Sequence, residues 1–218
     1  AESEVFELCQ SGKQRRKNEL FRRAEDITTK PVRLYEAGNG TQNSNEPKTD
    51  TMIKKELLLG DEAIAWGALN AGLSGVYAYP GTPSTEITEF IQMHPLTRER
   101  GIHCNWSANE KTALEAALGM SFVGKRALVC MKHVGMNVCA DAFVNSAMTG
   151  ANGGLVVVAA DDPSMHSSQN EQDSRFYAKF AMIPCFEPAS QQEAYEMIGE
   201  AFDFSEKYQI PVLMRVTT

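Results

Sequence analysis

The fold is decided by three consecutive segments: RALVCMK (126–132), VGMNVCADAFVNSAMTG (134–150) and GLVVVAA (154–160). The two outer segments are short and apolar throughout, which is typical of strands that are buried on both faces of a sheet. The middle segment has apolar residues at helical spacing and ends at a glycine, which is typical of a helix. This order predicts two parallel strands joined by a crossover helix.

The same alternation extends in both directions along the chain. Helical patterns cover 57–72, 82–93, 109–124 and 190–208, and short apolar strands cover 75–80, 102–107 and 210–217. Strands that alternate with helices predict a parallel sheet with helices on both faces. We therefore expect an α/β doubly wound domain, with a mainly parallel sheet, over residues 52–218.

Residues 1–51 differ in composition from the rest of the chain. The segment EAGNGTQNSNEPKTDT (36–51) is polar and rich in glycine and asparagine, which predicts a flexible linker. The preceding QRRKNELFRRAED (14–26) predicts a short charged helix, which is either a solvated face or a docking or targeting element. We expect residues 1–51 to form a charged, flexible N-terminal extension.

Composition excludes several classes of partner. The formal net charge of −7 argues against a nucleic-acid partner, and no apolar run approaches the roughly 20 residues that span a bilayer. Five scattered cysteines, with no closely spaced pair, predict reduced thiols in a cytoplasmic protein and no iron–sulfur or zinc site in this segment.

Ligands of doubly wound sheets bind at the carboxyl ends of the strands. Four polar or glycine-bearing segments follow predicted strands and are therefore the candidate site: 80–85, 107–110, 132–137 and 161–175.

The first two segments each have a structural and a functional interpretation. Thr82 is expected to cap a helix that has Pro83 at its first position, and such a helix end can also receive a carboxylate or phosphate. Ser107 and Glu110 form a capping-box pattern. The glutamate also precedes an apolar helix face, where it could hydrogen-bond a heteroaromatic nitrogen.

The last two segments are equally open. His133 is either a hydrogen-bonded structural group or a ligand-binding one, and Gly135 predicts a close approach to the backbone. Arg175 could bind a carboxylate with both of its terminal nitrogens, or could form a surface ion pair with Glu171 or Asp173.

Taken in order, four stretches resemble one family. They are LLLGDEAIAWGALNAG (57–72), YAYPGTPSTEITE (77–89), the run from NEKTALEAALG to KHVGMN (109–137), and VVVAADDPSMHSSQNEQDSRFYAKFAMIP (156–184). Together they resemble the N-terminal pyrimidine-binding domain of the alpha subunit of indolepyruvate:ferredoxin oxidoreductases. These enzymes belong to the thiamine-diphosphate-dependent 2-oxoacid:ferredoxin oxidoreductases.

The resemblance implies roles for particular residues. Glu110 would hydrogen-bond the N1′ nitrogen of the cofactor's aminopyrimidine and so activate thiamine diphosphate as the catalytic carboxylate. Thr82 would lie near the 2-oxo acid, Arg175 would bind its carboxylate, and His133 would be a polar neighbour of the cofactor's thiazolium ring or of the substrate. Gly135 would lie against the cofactor.

The resemblance also implies a reaction and partners. The reaction is oxidative decarboxylation of an aryl-pyruvate to an aryl-acetyl-CoA, with coenzyme A as acyl acceptor and ferredoxin as electron acceptor. A beta subunit and a second thiamine-binding domain would complete the enzyme. Alternatives are the same chemistry on pyruvate or another 2-oxo acid, or a silent assembly module in which Glu110 only caps its helix.

Two features of the family are absent from this sequence. It has neither the GDG motif that binds the cofactor's diphosphate and magnesium nor the clustered cysteines of the family's [4Fe-4S] centres. The chain therefore looks like an incomplete part of a functional subunit, and either a continuation of the coding frame past Thr218 or a separate chain would supply the missing motifs. We also expect the 218 residues alone to bind thiamine diphosphate weakly and to turn over no substrate.

Overall fold

The computed structural model describes residues 56–217, and the predicted extension with its short helix (14–26) lies outside them. The chain divides into two units, Ala1–Leu57 and Leu58–Thr218, and all the elements below belong to the second. The helices are α1 (Gly60–Asn70), α2 (Thr85–Met93), α3 (Pro95–Arg100), α4 (Glu110–Phe122), α5 (His133–Thr149), α6 (Arg175–Ala181) and α7 (Gln191–Tyr208). The strands are β1 (Gly75–Ala78), β2 (His103–Trp106), β3 (Ala127–Lys132), β4 (Leu155–Asp161), β5 (Cys185–Phe186) and β6 (Val212–Thr217).

The six strands form one parallel sheet in the order β2–β1–β3–β4–β6–β5. Its centre is the pair β3–β4, in which Val129 lies opposite Val157 and both are fully buried. The predicted doubly wound α/β fold is confirmed, and every strand pair is parallel. Strands β1, β3 and β4 therefore end at the same edge of the sheet, where the candidate site was expected.

Two apolar clusters cover the two faces of the sheet. On one face, α4 and α5 pack Leu114 and Phe143 against β3 and β4. On the other, α1, α2 and α7 contribute residues such as Ile64 and Phe202. Because both faces are covered, the central strands have no polar face, which explains why the sequence shows unbroken apolar runs.

The close packing of α1 against α7 depends on one glycine. A Cβ atom added at Gly67 would lie 2.3 Å from the main-chain oxygen of Tyr195, so no larger residue fits without a backbone shift. This contact fixes where α1 lies, including its first turn at the carboxyl edge of the sheet.

Three short elements were not predicted. Helix α3 lies between Pro95 and Gly101, and its polar sequence resembles a loop. Helix α6 begins at Arg175, inside the segment expected to be a polar loop, and β5 has only two residues. Each element is too short for periodicity to separate it from a loop.

Within residues 56–217, no helix is both long enough and apolar enough to cross a membrane.

Candidate functional site

The turn after β1 differs from its prediction. Helix α2 begins at Thr85 with Ser84 as its N-cap, so the expected cap at Thr82 with Pro83 in the first helical position is wrong. The reason is local hydrogen bonding. Both the amide and the hydroxyl of Ser84 donate to the Gly81 oxygen, at 2.9 and 2.8 Å, and the Thr85 hydroxyl accepts from the Gly81 amide. Thr82 is left exposed in the turn, at the carboxyl end of β1.

Glu110 is the first residue of α4, but Ser107 does not cap that helix. Asn109 is the N-cap, and its side-chain oxygen accepts from the Thr112 amide at 2.9 Å, so the predicted Ser107–Glu110 capping box is wrong. The Ser107 amide instead donates to the Ala78 oxygen at 2.8 Å and extends the pairing of β1 with β2. The carboxylate of Glu110 is therefore not engaged in capping.

The Glu110 residue is largely buried, and its carboxylate is unpaired among the described residues. The residue is 7% exposed, and no residue of the 56–217 segment gives it a hydrogen bond or an ion pair. Buried carboxylates are normally hydrogen-bonded, so an unpaired one indicates a position for a ligand donor. The start of a helix favours its negative charge.

Gly135 provides the space that Glu110 occupies. A Cβ atom at position 135 would lie 2.7 Å from both Cγ and Oε1 of Glu110, closer than real contacts allow. The close backbone approach expected at Gly135 is therefore made by the glutamate itself. One turn further along α5, the buried Cys139 thiol has its pKa raised to about 12 by desolvation and by the nearby Glu110 charge. That thiol therefore stays protonated at neutral pH and is an uncharged neighbour of the Glu110 carboxylate.

His133 is fully buried at the start of α5. Its Nε2 lies 2.9 Å from the main-chain oxygen of Asn170, so Nε2 carries the hydrogen and donates it. The buried Nδ1 atom has no partner among the described residues. In the neutral ring it is an acceptor, which a bound N–H or O–H group would satisfy.

The loop after β4 is held by two consecutive buried aspartates. Asp161 accepts from the Ser174 amide at 3.0 Å, from the Ser174 hydroxyl, and from Arg215 Nε at 2.7 Å. Asp162 accepts from the main-chain amides of residues 166 and 167 and from the Ser168 hydroxyl. These hydrogen bonds lower the pKa of Asp162 to about 2, so its charge holds the loop at neutral pH.

Arg175 is already engaged at the start of α6. Its Nη2 lies 2.6 Å from Asp173 Oδ2, and its Nη1 lies 3.6 Å from Glu187. The ion pair with Asp173, one of the two interpretations that the sequence allowed, is therefore formed. Its role toward a substrate stays a prediction.

Lys132 joins three of the four candidate segments. It is the last residue of β3, and its Nζ donates to the Ser167 oxygen at 2.9 Å. A Cβ atom at Gly81 would lie 3.0 Å from its Cδ, so the lysine stem passes along the turn after β1. The Ser167 hydroxyl in turn donates to the Thr82 oxygen at 3.3 Å. The structure thus connects the Thr82 turn to the loop that also contacts His133.

A cluster of three acidic residues, Asp61, Glu62 and Glu86, lies in the first turns of α1 and α2. Burial, and the charges of Glu86 and Glu62, raise the pKa of Asp61 to about 7. The Glu86 Oε2 atom is buried with no partner among the described residues. An adjoining cleft of about 380 Å³ is lined by Glu62, Glu86, Glu89, Phe90, Met93, His94 and Pro95.

Sequence reasoning missed several of these residues. Lys132 and Asp61 differ little from ordinary surface charges in the sequence, and only their contacts reveal them. The pair Asp161–Asp162, directly after the most apolar strand and before a serine-rich loop, was the available signal for the loop anchor. No group of three or more metal-binding side chains occurs among residues 56–217.

Comparison with known proteins gives a consistent result. Residues 66–216 match the family described as pyruvate flavodoxin/ferredoxin oxidoreductase, thiamine diphosphate-binding. The chain is 53% identical over 165 residues to indolepyruvate oxidoreductase subunit IorA of Pyrococcus horikoshii, which covers 76% of this chain and 25% of that protein. It is 49% identical over 176 residues to the IorA subunit of Archaeoglobus fulgidus, which covers 80% and 28%.

More distant relatives share the fold. A 2-oxoglutarate synthase subunit KorA of Methanothermobacter thermautotrophicus is 29% identical over 172 residues, covering 75% of this chain and 44% of that protein. A 2-oxoglutarate:ferredoxin oxidoreductase from Magnetococcus marinus, solved with 2-oxoglutarate, coenzyme A and succinyl-CoA bound, superposes with a TM-score of 0.64 at 22% identity. That match covers 73% of this chain and 29% of the other. The chain thus spans about a quarter of the length of its IorA relatives.

Proposed function

The chain belongs to the thiamine-diphosphate-binding family of pyruvate flavodoxin/ferredoxin oxidoreductases, and on this premise we propose that it holds the aminopyrimidine of thiamine diphosphate in a 2-oxo acid:ferredoxin oxidoreductase. We further propose an aryl-pyruvate such as indolepyruvate as the substrate, supported by about 50% identity to indolepyruvate oxidoreductase subunits. The overall reaction converts a 2-oxo acid, coenzyme A and two oxidised ferredoxins into an acyl-CoA, CO₂, a proton and two reduced ferredoxins.

The carboxylate of the largely buried Glu110, which has no hydrogen-bond partner among the described residues, is the observation that carries this proposal. Its oxygens have no partner among residues 56–217, so a ring nitrogen of the cofactor would satisfy a group that the fold leaves unsatisfied. The buried and unpaired Nδ1 of His133 is a second such atom. Glu110 and His133 thus fit the aminopyrimidine. The cofactor, when bound, would supply the carbon that adds to the 2-oxo group and would accept the electron pair that the loss of CO₂ releases.

The other residues of the chain orient Glu110 and keep water away from it. The following helix face is buried and apolar, including Ala113 and Leu114, so the carboxylate has no competing solvent on that side. Gly135 leaves room for the side chain, and Glu110 then holds or shares a proton at its carboxyl oxygen with the ring nitrogen. The second thiamine-binding domain, the magnesium site, the iron–sulfur clusters and the beta subunit are proposed to lie outside these residues. We place the assembled enzyme in the cytoplasm.

The proposal is tested in the assembled enzyme with Glu110→Gln. The amide keeps the size of the side chain but cannot share a proton in the same way, so we expect ferredoxin reduction to fall roughly 100- to 10,000-fold. Glu115→Gln, an exposed glutamate on the same helix, is the matched control and should retain activity. A silent assembly module would lose nothing in either variant.

The substrate is tested by comparing kcat/KM across 2-oxo acids. Indolepyruvate should be preferred to pyruvate and 2-oxoglutarate. A preference for either of the small acids, together with loss of activity in Glu110→Gln, would keep the chemistry but replace the aryl-pyruvate by that acid.

A further inference from the structure

The carboxyl edge of the sheet contains three cationic side chains near the candidate site, and they differ in what they contact. The guanidinium groups of Arg175 and Arg215 are paired with carboxylates, at 2.6 Å to Asp173 and 2.7 Å to Asp161 respectively. Both positive charges are therefore largely neutralised by aspartates of the same loop. An anionic ligand at either arginine would therefore approach a carboxylate that is already in place.

Lys132 differs because its ammonium group has no carboxylate partner. Its described hydrogen bond runs to a neutral acceptor, the Ser167 oxygen, and no acidic side chain among residues 56–217 lies within 4.0 Å of it. An ammonium group has three donors, so two remain available. Lys132 thus has an uncompensated positive charge beside the Thr82 turn.

Two helices begin close to the Lys132 ammonium group. Lys132 is the N-cap of α5, and its side chain makes no capping hydrogen bond; Ser84, the N-cap of α2, makes none either. Strands β1 and β3 are paired, so both helices begin at the same edge of the sheet. The lysine stem runs along Gly81, directly before the turn that leads into α2. Glu86 already lies in the first turn of α2 and Glu110 beside the first turn of α5, so the positive charge still available to an anion at this edge is the Lys132 ammonium group.

We propose that Lys132, and not Arg175, binds the carboxylate of the 2-oxo acid. This inference rests on the function proposed above and adds the residue that recognises the substrate's charge. Arg175 then serves to hold the loop through Asp173 and Glu187. The connection from Ser167 to the Thr82 oxygen keeps the lysine between the turn and the loop.

The experiment uses the assembled enzyme and a pair of inhibitors that differ at one group, which is a carboxylate in one and a neutral amide in the other. An arylacetate has the aryl group and the carboxylate of the substrate, and the matching arylacetamide lacks the charge. In Lys132→Met we expect the KM for the 2-oxo acid and the Ki for the arylacetate to rise roughly 10- to 100-fold, the range for hydrogen bonds to charged groups. The Ki for the arylacetamide should change less than about twofold. Lys132→Arg should recover part of the affinity for the anion.

Controls separate this inference from a folding defect and from the proposed function. Lys179→Met, at an exposed lysine in the last turn of α6, should leave both inhibitors unaffected. If Lys132→Met lowers the melting temperature, Lys132→Gln is measured in its place. The inference is overturned if both inhibitors weaken equally, if neither weakens, or if the anion-selective loss follows Arg175→Met. Full activity in Glu110→Gln would instead overturn the proposed function, whatever Lys132 does.

Discussion

The most quantitative prediction concerns Asp61, whose pKa is raised to about 7 in the folded chain. In the unfolded chain the carboxyl has its ordinary pKa of 3.8. The folded state binds the proton of Asp61 more tightly than the unfolded state does. The contribution of this carboxyl to the free energy of unfolding is therefore fully present below pH 3.8 and is lost as the pH rises through about 7. Each pH unit between these values removes up to about 1.4 kcal/mol, which gives an upper limit of roughly 4 kcal/mol. Partial exposure of Asp61 reduces this to about 2 kcal/mol.

The perturbation is Asp61→Asn, which removes the titration while preserving size. Urea unfolding of the chain at pH 5, 6, 7 and 8 should show the free energy of unfolding of the wild type falling by about 1 kcal/mol relative to that of the variant, because part of the roughly 2 kcal/mol is already lost between pH 3.8 and pH 5. Glu86→Gln removes the second cause of the shift and should flatten the wild-type pH dependence in part, whereas the exposed Glu89→Gln should not. Parallel pH profiles for the wild type and Asp61→Asn would refute the reasoning.

Three further predictions follow from contacts in the fold. Gly135→Ala should displace the Glu110 carboxylate and lower the rate of ferredoxin reduction by the assembled enzyme at least about tenfold. Gly119→Ala is the control, because its added Cβ atom would project into open space, and it should leave this rate unchanged. In chemical unfolding, Gly67→Ala should lower the free energy of unfolding by about 1–3 kcal/mol because the added methyl group overpacks the contact between α1 and α7. Gly119→Ala should raise it by about 0.5–1 kcal/mol because alanine favours the helix. Equal effects of the two substitutions would contradict the packing argument. Asp162→Asn should have a lower free energy of unfolding than the wild type at pH 7. The difference between the two proteins should disappear as the pH falls from about 4 through about 2, because protonation then removes the same charge from the wild type. A gap independent of pH would show that the charge of this aspartate is not what holds the loop.

The architecture was predictable because its signals are local. Apolar runs such as 154–160 and glycines that end helices, such as Gly72 and Gly124, identify strands and helix boundaries without any tertiary information. Parallel pairing then follows from the alternation of strands and helices. The edge at which the candidate site lies follows from the same alternation, which is why the segment 107–110 could be singled out, and the resemblance then implied a role for Glu110.

The details of the site were not predictable because they depend on contacts between distant segments. Ser107 does not cap α4 because its main-chain amide donates a hydrogen bond to the Ala78 oxygen, and Asn109 is the N-cap instead. The reason for a glycine at position 135 is the Glu110 side chain on a different helix. No local pattern records either of these contacts.

Charge partners were equally hidden from the sequence. Arg175 and Lys132 are both cations after strands, and the sequence allowed the arginine to be either a carboxylate ligand or a member of a surface ion pair. In the fold the arginine is paired with Asp173, while the lysine donates only to a main-chain oxygen among the described residues. Which cation remains available was therefore determined by the loop conformation around Asp161 and Asp162.

The most direct test of the central claim is a structure of the assembled enzyme with thiamine diphosphate bound. We predict a Glu110 carboxyl oxygen within about 2.6–3.0 Å of a ring nitrogen of the aminopyrimidine, with the side chain still packed on Gly135. A bound cofactor whose ring nitrogens meet other groups, with Glu110 still unpaired in its apolar pocket, would contradict it.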